Sequence, residues 1–553
     1  MVLGAVLLGL AGADAVIALA EPPESEAVAR AATAPQPERV PRGWRSPRGI
    51  GGIKAATASA AALLLAIGAG SVARGRRIHE SRAYLGGLAT LGILGALCWW
   101  NLFQFHYPGF AHPSETFHYY IGAKYFPELG YDNLYACTAV ADAEAGLDAP
   151  RPMRDLRSNA LITSAEVLAQ PERCKQAFTP ARWAAFRTDI DRLRSSVAPR
   201  RWLRSQQDHG YNATPAWGIA GRLLTSTGPV TEGQLRALRS IDTGLLLALG
   251  LGIVWAFGWQ VAAIAAVFFG CNYVAPFGWT GGGLLRQDWL AATGLALCAL
   301  RKEWFATGGA LLAFATLLRL FPGLVVVGAL LGILGRWVGT RRLTLMPGER
   351  RFLAGGLVAT ALLLPASAAL HGGFGSWQDF AQNSRTHLST PLANHLGLRS
   401  VLSHDPSLSG EQARDPALDD PMARWKQGRT ERFGSQRLFF AALVLGFAGL
   451  VARAGAGQPL WLGAALGVAL IPIAAELTGY YWAVLLALAV LTERFRDIGA
   501  GLCAVAALGW GVAQIWHWTD EIHVWISVVT VAFCLYVVLR VTPRPPRTRP
   551  AQS

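Results

Sequence analysis

Tyr84-Leu-Gly-Gly-Leu-Ala-Thr-Leu-Gly-Ile-Leu-Gly-Ala-Leu-Cys-Trp-Trp-Asn-Leu-Phe-Gln-Phe105 is a run of 22 residues without a single charge. Its length matches that of a helix crossing the hydrocarbon core of a bilayer. Its Trp and Phe residues gather at one end, as aromatic side chains do at a membrane interface. Runs of this kind recur along the chain. The spans read as 55–73, 84–105, 242–257, 260–277, 284–300, 304–319, 320–335, 352–370, 437–452, 459–477, 479–492, 499–515 and 523–540, with 304–335 also readable as one long bent helix. The expected fold is therefore an all-α polytopic membrane protein with about 13 transmembrane helices (range about 11–14) and a large first outer loop. Composition agrees. The 553 residues are 52% hydrophobic and only 15% charged, where a soluble chain carries about a quarter. The net charge of +15 comes from arginines at the ends of apolar runs, which argues against a nucleic-acid partner.

Lys and Arg among the short connections set the orientation. One set holds Arg74, Arg76, Arg77 and Arg82, then Arg301 and Lys302, then Arg336, Arg341, Arg342, Arg350 and Arg351, then Arg453, Arg494, Arg496 and the tail from Arg540. The alternate set offers only Arg286 and Arg319. The first set is expected in the cytoplasm, which puts the long loops 106–241 and 371–436 outside. The remaining segments read as follows: 1–54 a doubtful N-terminal stretch and disordered linker, 55–105 the first transmembrane helices, 242–370 and 437–540 two transmembrane bundles, and 541–553 a cytoplasmic tail. Ten of the 11 histidines fall on or near the outer face, so any chemistry is expected there. Five of the seven cysteines lie in apolar spans, while Cys137 and Cys174 share the first loop. An oxidising outer compartment favours their pairing.

The densest polar stretch is His112-Pro-Ser-Glu-Thr-Phe-His-Tyr-Tyr-Ile-Gly-Ala-Lys-Tyr-Phe126. Ser114 suits an N-cap and Glu115 the first turn of a helix. Phe117, Tyr120, Ile121 and Tyr125 make an apolar stripe at helical spacing, as in a helix lying in the membrane interface. On these residues alone the plainer reading is favoured, with Glu115 a helix-start charge and His112 and His118 interfacial decoration.

A carboxylate close behind a transmembrane helix, then an aromatic helix with Tyr119-Tyr120-Ile-Gly122, then Gly130-Tyr-Asp-Asn-Leu-Tyr135, resembles the C-type (GT-C) glycosyltransferase superfamily. Within it the pattern is most similar to family 87, the polyprenyl-phosphate-mannose-dependent mannosyltransferases, with Glu115 standing where those enzymes have Asp. Leu318-Arg319-Leu-Phe-Pro322 is a second echo, and the architectural likeness covers about residues 84–540. The resemblance implies inverting transfer of mannose or a similar sugar from a polyprenyl-phosphate donor to a lipid or glycan acceptor. Glu115 would be the catalytic base. Arg319 would steady the departing phosphate, although by itself it also reads as a snorkelling anchor. The membrane would be a bacterial cytoplasmic membrane with the site facing the periplasm or cell exterior. No cofactor is implied.

Further candidates for substrate contact are Arg286 and Asp288 after the Gly281–Gly283 triplet, and Asp208, His209 and Asn212 in Asp208-His-Gly-Tyr-Asn-Ala-Thr-Pro215. His118, Arg385, His387 and Tyr480 complete the set. His106, His112, His118 and Glu115 fit no metal-site spacing, and no Walker or dinucleotide motif occurs. Thr179-Pro-Ala-Arg-Trp183 starts another helix, whose Trp183, Phe186, Ile190, Leu193 and Val197 share a face flanked by arginines. That face suits either a membrane surface or the packing of the loop domain. The competing functions are a lipid-linked-glycan flippase or transporter, and an O-antigen-type polymerase or ligase. Against a transporter stand the lack of an internal repeat and the one-sided placement of polar residues.

Overall fold

The computed structural model describes residues 43–105, 112–418 and 420–543. The readings of Met1–Ala20, of most of the linker, of His106 and of the tail beyond 543 lie outside the described residues. The chain is all-α apart from two short antiparallel pairs, Pro152–Arg154 with Leu161–Thr163 and His395–Leu396 with Leu477–Thr478. Among the described residues, eight helices are long and apolar enough to cross a membrane: Pro47–Ala73, Arg82–Trp99, Glu232–Phe257, Gly323–Thr340, Pro347–Leu370, Ala423–Gly455, Arg496–Ile515 and Thr519–Val541. Four shorter apolar helices, Trp259–Cys271, Phe305–Leu318, Leu460–Ala474 and Gly479–Glu493, pack among them. This fits an integral multi-pass membrane protein.

Several boundaries move. The first helix starts at Pro47, so the end of the supposed linker is helical. Ser46 caps it by accepting from the Gly49 N–H, and Pro47 occupies the first position. Glu232–Phe257 begins within the first long loop rather than at residue 242, and Ala423–Gly455 within the second. The 304–335 run is two helices, because Arg319 is extended (φ −147°, ψ 131°) and Pro322 starts the next helix.

Helices approach closely where small residues face one another. A Cβ on Gly270 would collide with the Gly95 carbonyl, so only hydrogen fits at the crossing of Arg82–Trp99 and Trp259–Cys271. Gly479–Glu493 is wound as a 3₁₀ helix over its 15 residues. At about 2 Å rise per residue it reaches about 30 Å, the thickness of a bilayer core.

The first long loop folds into a small domain with its own core. Asp142, fully buried, accepts from Arg151 (2.7 Å), Arg194 (3.0 Å), Trp202 Nε1 (3.0 Å) and Gln206 (3.0 Å). Asp189 likewise holds Lys124 (2.6 Å), the Tyr125 hydroxyl (2.8 Å) and the Val230 N–H (2.8 Å). On Pro180–Ser195, capped by Thr179, the residues Phe186, Ile190 and Leu193 enter this core. The flanking Arg182, Arg187 and Arg194 pair with Glu128, Glu144 and Asp142. The apolar face of that helix is a packing face of the domain.

Cys137 and Cys174 form a disulfide with Cα atoms 5.3 Å apart, closing a stretch of 37 residues. Reducing it is expected to lower the stability of the loop domain by about 3–4 kcal/mol. Unfolding measured with and without reductant checks this, and a Cys137→Ser, Cys174→Ser double variant should be insensitive to reductant.

Candidate functional site

The segment after residue 112 begins with Pro113 at the first helical position. Its cap is His112, whose Nδ1 accepts from the Glu115 N–H at 3.1 Å. Ser114, expected to cap, instead shares a hydrogen bond with the Ser205 hydroxyl (2.9 Å). The helix then widens into a π turn over Phe117–Ile121, a feature often found at functional sites. Residues 117 to 126 are all buried. The expected helix lying in the membrane interface is thus corrected: the loop domain and the helix ends carrying Arg286 and Arg319 together enclose this helix.

Glu115 is turned towards Arg286, with Oε2 2.6 Å from Nε. Arg286 comes from the loop between Phe277–Thr280 and Asp288–Arg301, and that loop is held from several directions. Asp242 accepts from the backbone N–H groups of Arg286 (2.9 Å) and Gln287 (3.2 Å). Trp217 Nε1 donates to the Leu285 carbonyl (3.2 Å) and Trp289 Nε1 to that of Arg286 (3.0 Å). Leu285 has φ +48°, a strained left-handed conformation for leucine. Gly283 lets the loop pass Glu115, since a Cβ there would lie 2.8 Å from Arg286 Cγ and 3.3 Å from Glu115 Cβ.

The Arg286 guanidinium lies 4.4 Å from the Tyr119 ring centroid and 5.4 Å from that of Tyr480. Arg319, from the break before Pro322, reaches the same Tyr119 ring at 6.0 Å. The Tyr119 hydroxyl donates to Asn212 Oδ1 (2.6 Å). Tyr481 packs on Trp289 and Phe321 beside Arg319. Asp288 opens its helix, accepts from the Trp289 N–H (2.7 Å) and lies in the field of Arg319.

Arg319 is 8% exposed. Its Nη1 donates to the Leu318 carbonyl (2.9 Å), while Nε and Nη2 are buried without a hydrogen-bond partner among the described residues. Arg286 Nη1 is in the same condition. A buried N–H left unmade costs about 1–3 kcal/mol, and more on a charged group, so both guanidiniums keep hydrogen-bonding capacity at the Tyr119 ring.

A second group lies beside the first. His118 Nε2 lies 3.0 Å from the Ser205 carbonyl and 2.8 Å from the Tyr135 hydroxyl, and its Nδ1 is 3.9 Å from Asp208. Asp208 is half-exposed and also accepts from the His209 N–H (2.8 Å). The His209 ring meets His387 of the second loop at 5.6 Å and bonds Asn159 Oδ1 (2.8 Å). Burial and the nearby Arg154 push His209 down to about 3, and burial pushes His387 down to about 4, so both rings are neutral near pH 7. The two long loops therefore meet through uncharged imidazoles.

Of the candidates, Glu115, Arg286, Arg319, Asp288, Asn212 and Tyr480 gather around Tyr119, and His118, Asp208, His209 and His387 form the adjoining group. Arg385 joins neither and lies exposed on Gly375–Ser389. Tyr119, Tyr481 and Asp242 complete the site without having been singled out as site residues. The only signal for Asp242 was a carboxylate opening an apolar run.

Asp242→Asn leaves one carbonyl oxygen for two N–H groups and turns an amide NH₂ towards one of them. The expected cost is about 1–3 kcal/mol, with faster hydrogen exchange at Arg286 and Gln287 as the local sign. Unchanged exchange there would show that the loop holds itself. Compared with protein-family models, with curated proteins and with solved structures, the chain matches none.

Proposed function

We propose that the chain is a membrane-embedded inverting glycosyltransferase, moving mannose or a similar sugar from a polyprenyl phosphate to a lipid or glycan acceptor on the outer face. The observation that carries this reading is the pair of buried guanidiniums, Arg286 and Arg319, sharing the Tyr119 ring beside Glu115, with N–H groups of both unbonded. A carboxylate next to buried guanidiniums flanked by aromatic rings suits this reaction. The acceptor hydroxyl attacks the anomeric carbon, the bond from that carbon to the phosphate oxygen breaks, and the hydroxyl proton passes to Glu115. The lipid phosphate leaves with one more negative charge, which Arg319 and Arg286 oppose in a site of low dielectric. Tyr119 and Tyr480 offer aromatic faces between the two cations and the sugar. Asn212, Asp208, His209, His118 and His387 supply neutral and acidic groups for sugar or acceptor hydroxyls, while Asp288 balances Arg319.

The reading goes with about thirteen crossings: the eight long helices, the four shorter apolar ones and Asp288–Arg301. It also goes with cytoplasmic arginine-rich connections, which put both long loops and the site outside a bacterial inner membrane. The test is incubation of purified protein with radiolabelled polyprenyl-phosphate sugars and extracted membrane lipids or glycans. Transfer with inversion supports the reading. Leaflet-to-leaflet movement of a lipid-linked glycan in reconstituted vesicles, without sugar transfer, would replace it with a flippase.

A further inference from the structure

A separate cleft lies away from Arg319. It has a volume of about 220 Å³ and lies on the other side of the turn that carries Glu115. One wall is Pro113 and Thr116, one is Leu193, Val197 and Trp202, and the third is Leu235 and Arg239 at the start of Glu232–Phe257, itself long and apolar enough to cross a membrane. A small void against Thr116, Leu235 and Arg239 continues it towards Gly283, on which the Glu115 Cβ packs.

The chemistry of the lining is specific. Glu232 faces two guanidiniums, Arg236 at 3.4 Å and Arg239 at 3.5 Å, two cations to one carboxylate. Arg239 is 8% exposed, where a charge acts strongly on whatever enters. The Thr116 and Ser196 hydroxyls already donate to the carbonyls of His112 (2.8 Å) and Leu193 (2.7 Å). With their protons so engaged, the two hydroxyl oxygens keep acceptor capacity, suited to hydroxyl donors on a ligand. The remaining walls are aliphatic and aromatic. At 220 Å³ the space is below the ~300 Å³ at which drug-sized pockets begin, so it takes one head group and not an extended glycan.

We infer that this cleft binds an anionic lipid with a hydroxylated head group, held by Arg239 and the two hydroxyls with its chains along Glu232–Phe257. Resting on the proposed transfer reaction, the same lipid class is the acceptor, whose head group lies one helical turn from the base. Lipid binding itself does not depend on that reaction.

The experiment uses the full chain in nanodiscs of phosphatidylcholine doped with phosphatidylglycerol, with native mass spectrometry counting retained lipids. Wild type is expected to retain phosphatidylglycerol over phosphatidylcholine. Leu235→Trp, which fills the cleft, should abolish the preference, and Arg239→Gln should weaken it about tenfold, as loss of a charged hydrogen-bonding partner does. Ser196→Phe blocks the cleft from an exposed position and serves if Leu235→Trp does not fold. Glycerol 3-phosphate alone should not compete, because the chains contribute to binding. Equal preference in wild type and the blocked variants overturns the proposal, as does competition by glycerol 3-phosphate. Donor binding at Arg319, measured on the same variants with a polyprenyl phosphate, should be unchanged. If lipid retention behaves as expected while no donor sugar is transferred, the cleft stands and the transferase reading falls.

Discussion

Glu115→Gln is expected to lower the turnover of sugar transfer by about 10³-fold, within the range that removal of a general base produces. Glutamine keeps the shape of glutamate and one acceptor oxygen, so the Arg286 guanidinium still has a neighbour at the position of Oε2. What is lost is the proton acceptor and a negative charge 2.6 Å from Nε. Two consequences separate the roles of Glu115. Binding of a polyprenyl phosphate should not weaken, since Arg286 is freed from a competing carboxylate and the phosphate replaces it. The empty protein should lose stability by about 3–5 kcal/mol, because Arg286 is left as an uncompensated buried cation. Added lipid phosphate should restore much of that loss by mass action. The measurements are single-turnover transfer, donor titration and thermal unfolding with and without donor. Full turnover in Glu115→Gln would remove Glu115 as base and pass the role to Asp208, which is half-exposed beside His118, or to Asp288.

Arg319→Ala should act in the opposite sense on stability. Its Nε and Nη2 are buried and unbonded, so the empty protein carries the cost of that desolvated charge. Removing it is expected to leave the thermal midpoint of the empty protein unchanged or raised, as often happens when a residue held for function is replaced. Donor affinity should fall by about 10²-fold and turnover by a further 10- to 100-fold, because the phosphate is charged in the ground state and gains charge on leaving. Arg319→Lys should recover part of the affinity but less of the turnover, since an ammonium keeps the charge without the planar fork. A lowered midpoint in Arg319→Ala with donor affinity intact would make Arg319 an interface anchor.

Some of this protein was legible without coordinates. The apolar runs declare helices whatever their neighbours, because a bilayer core demands that backbone hydrogen bonds close within the segment. Pro322 marked a break or a bend near Arg319, and the structure chose two helices over one bent one; the Cys137–Cys174 pair followed from there being two cysteines in the loop and five in apolar runs. Glu115, Arg286 and Arg319 stood out as charges beside such runs.

Tertiary structure decided the rest. Gly479–Glu493 is apolar on all faces, so no periodicity in it distinguishes three residues per turn from 3.6, and packing chose the tighter winding. The stripe from Phe117 to Tyr125 suggested one buried face, whereas a folded loop domain supplied partners for all of them. Asp242 binds backbone N–H groups 44 and 45 positions away, and a backbone N–H leaves no mark in the side-chain sequence. Tyr119 draws its importance from two arginines that arrive from distant helix ends. Local sequence dictates what a segment can form by itself, whereas the meeting of Glu115, Arg286, Tyr119 and Arg319 depends on where the helices stop relative to one another.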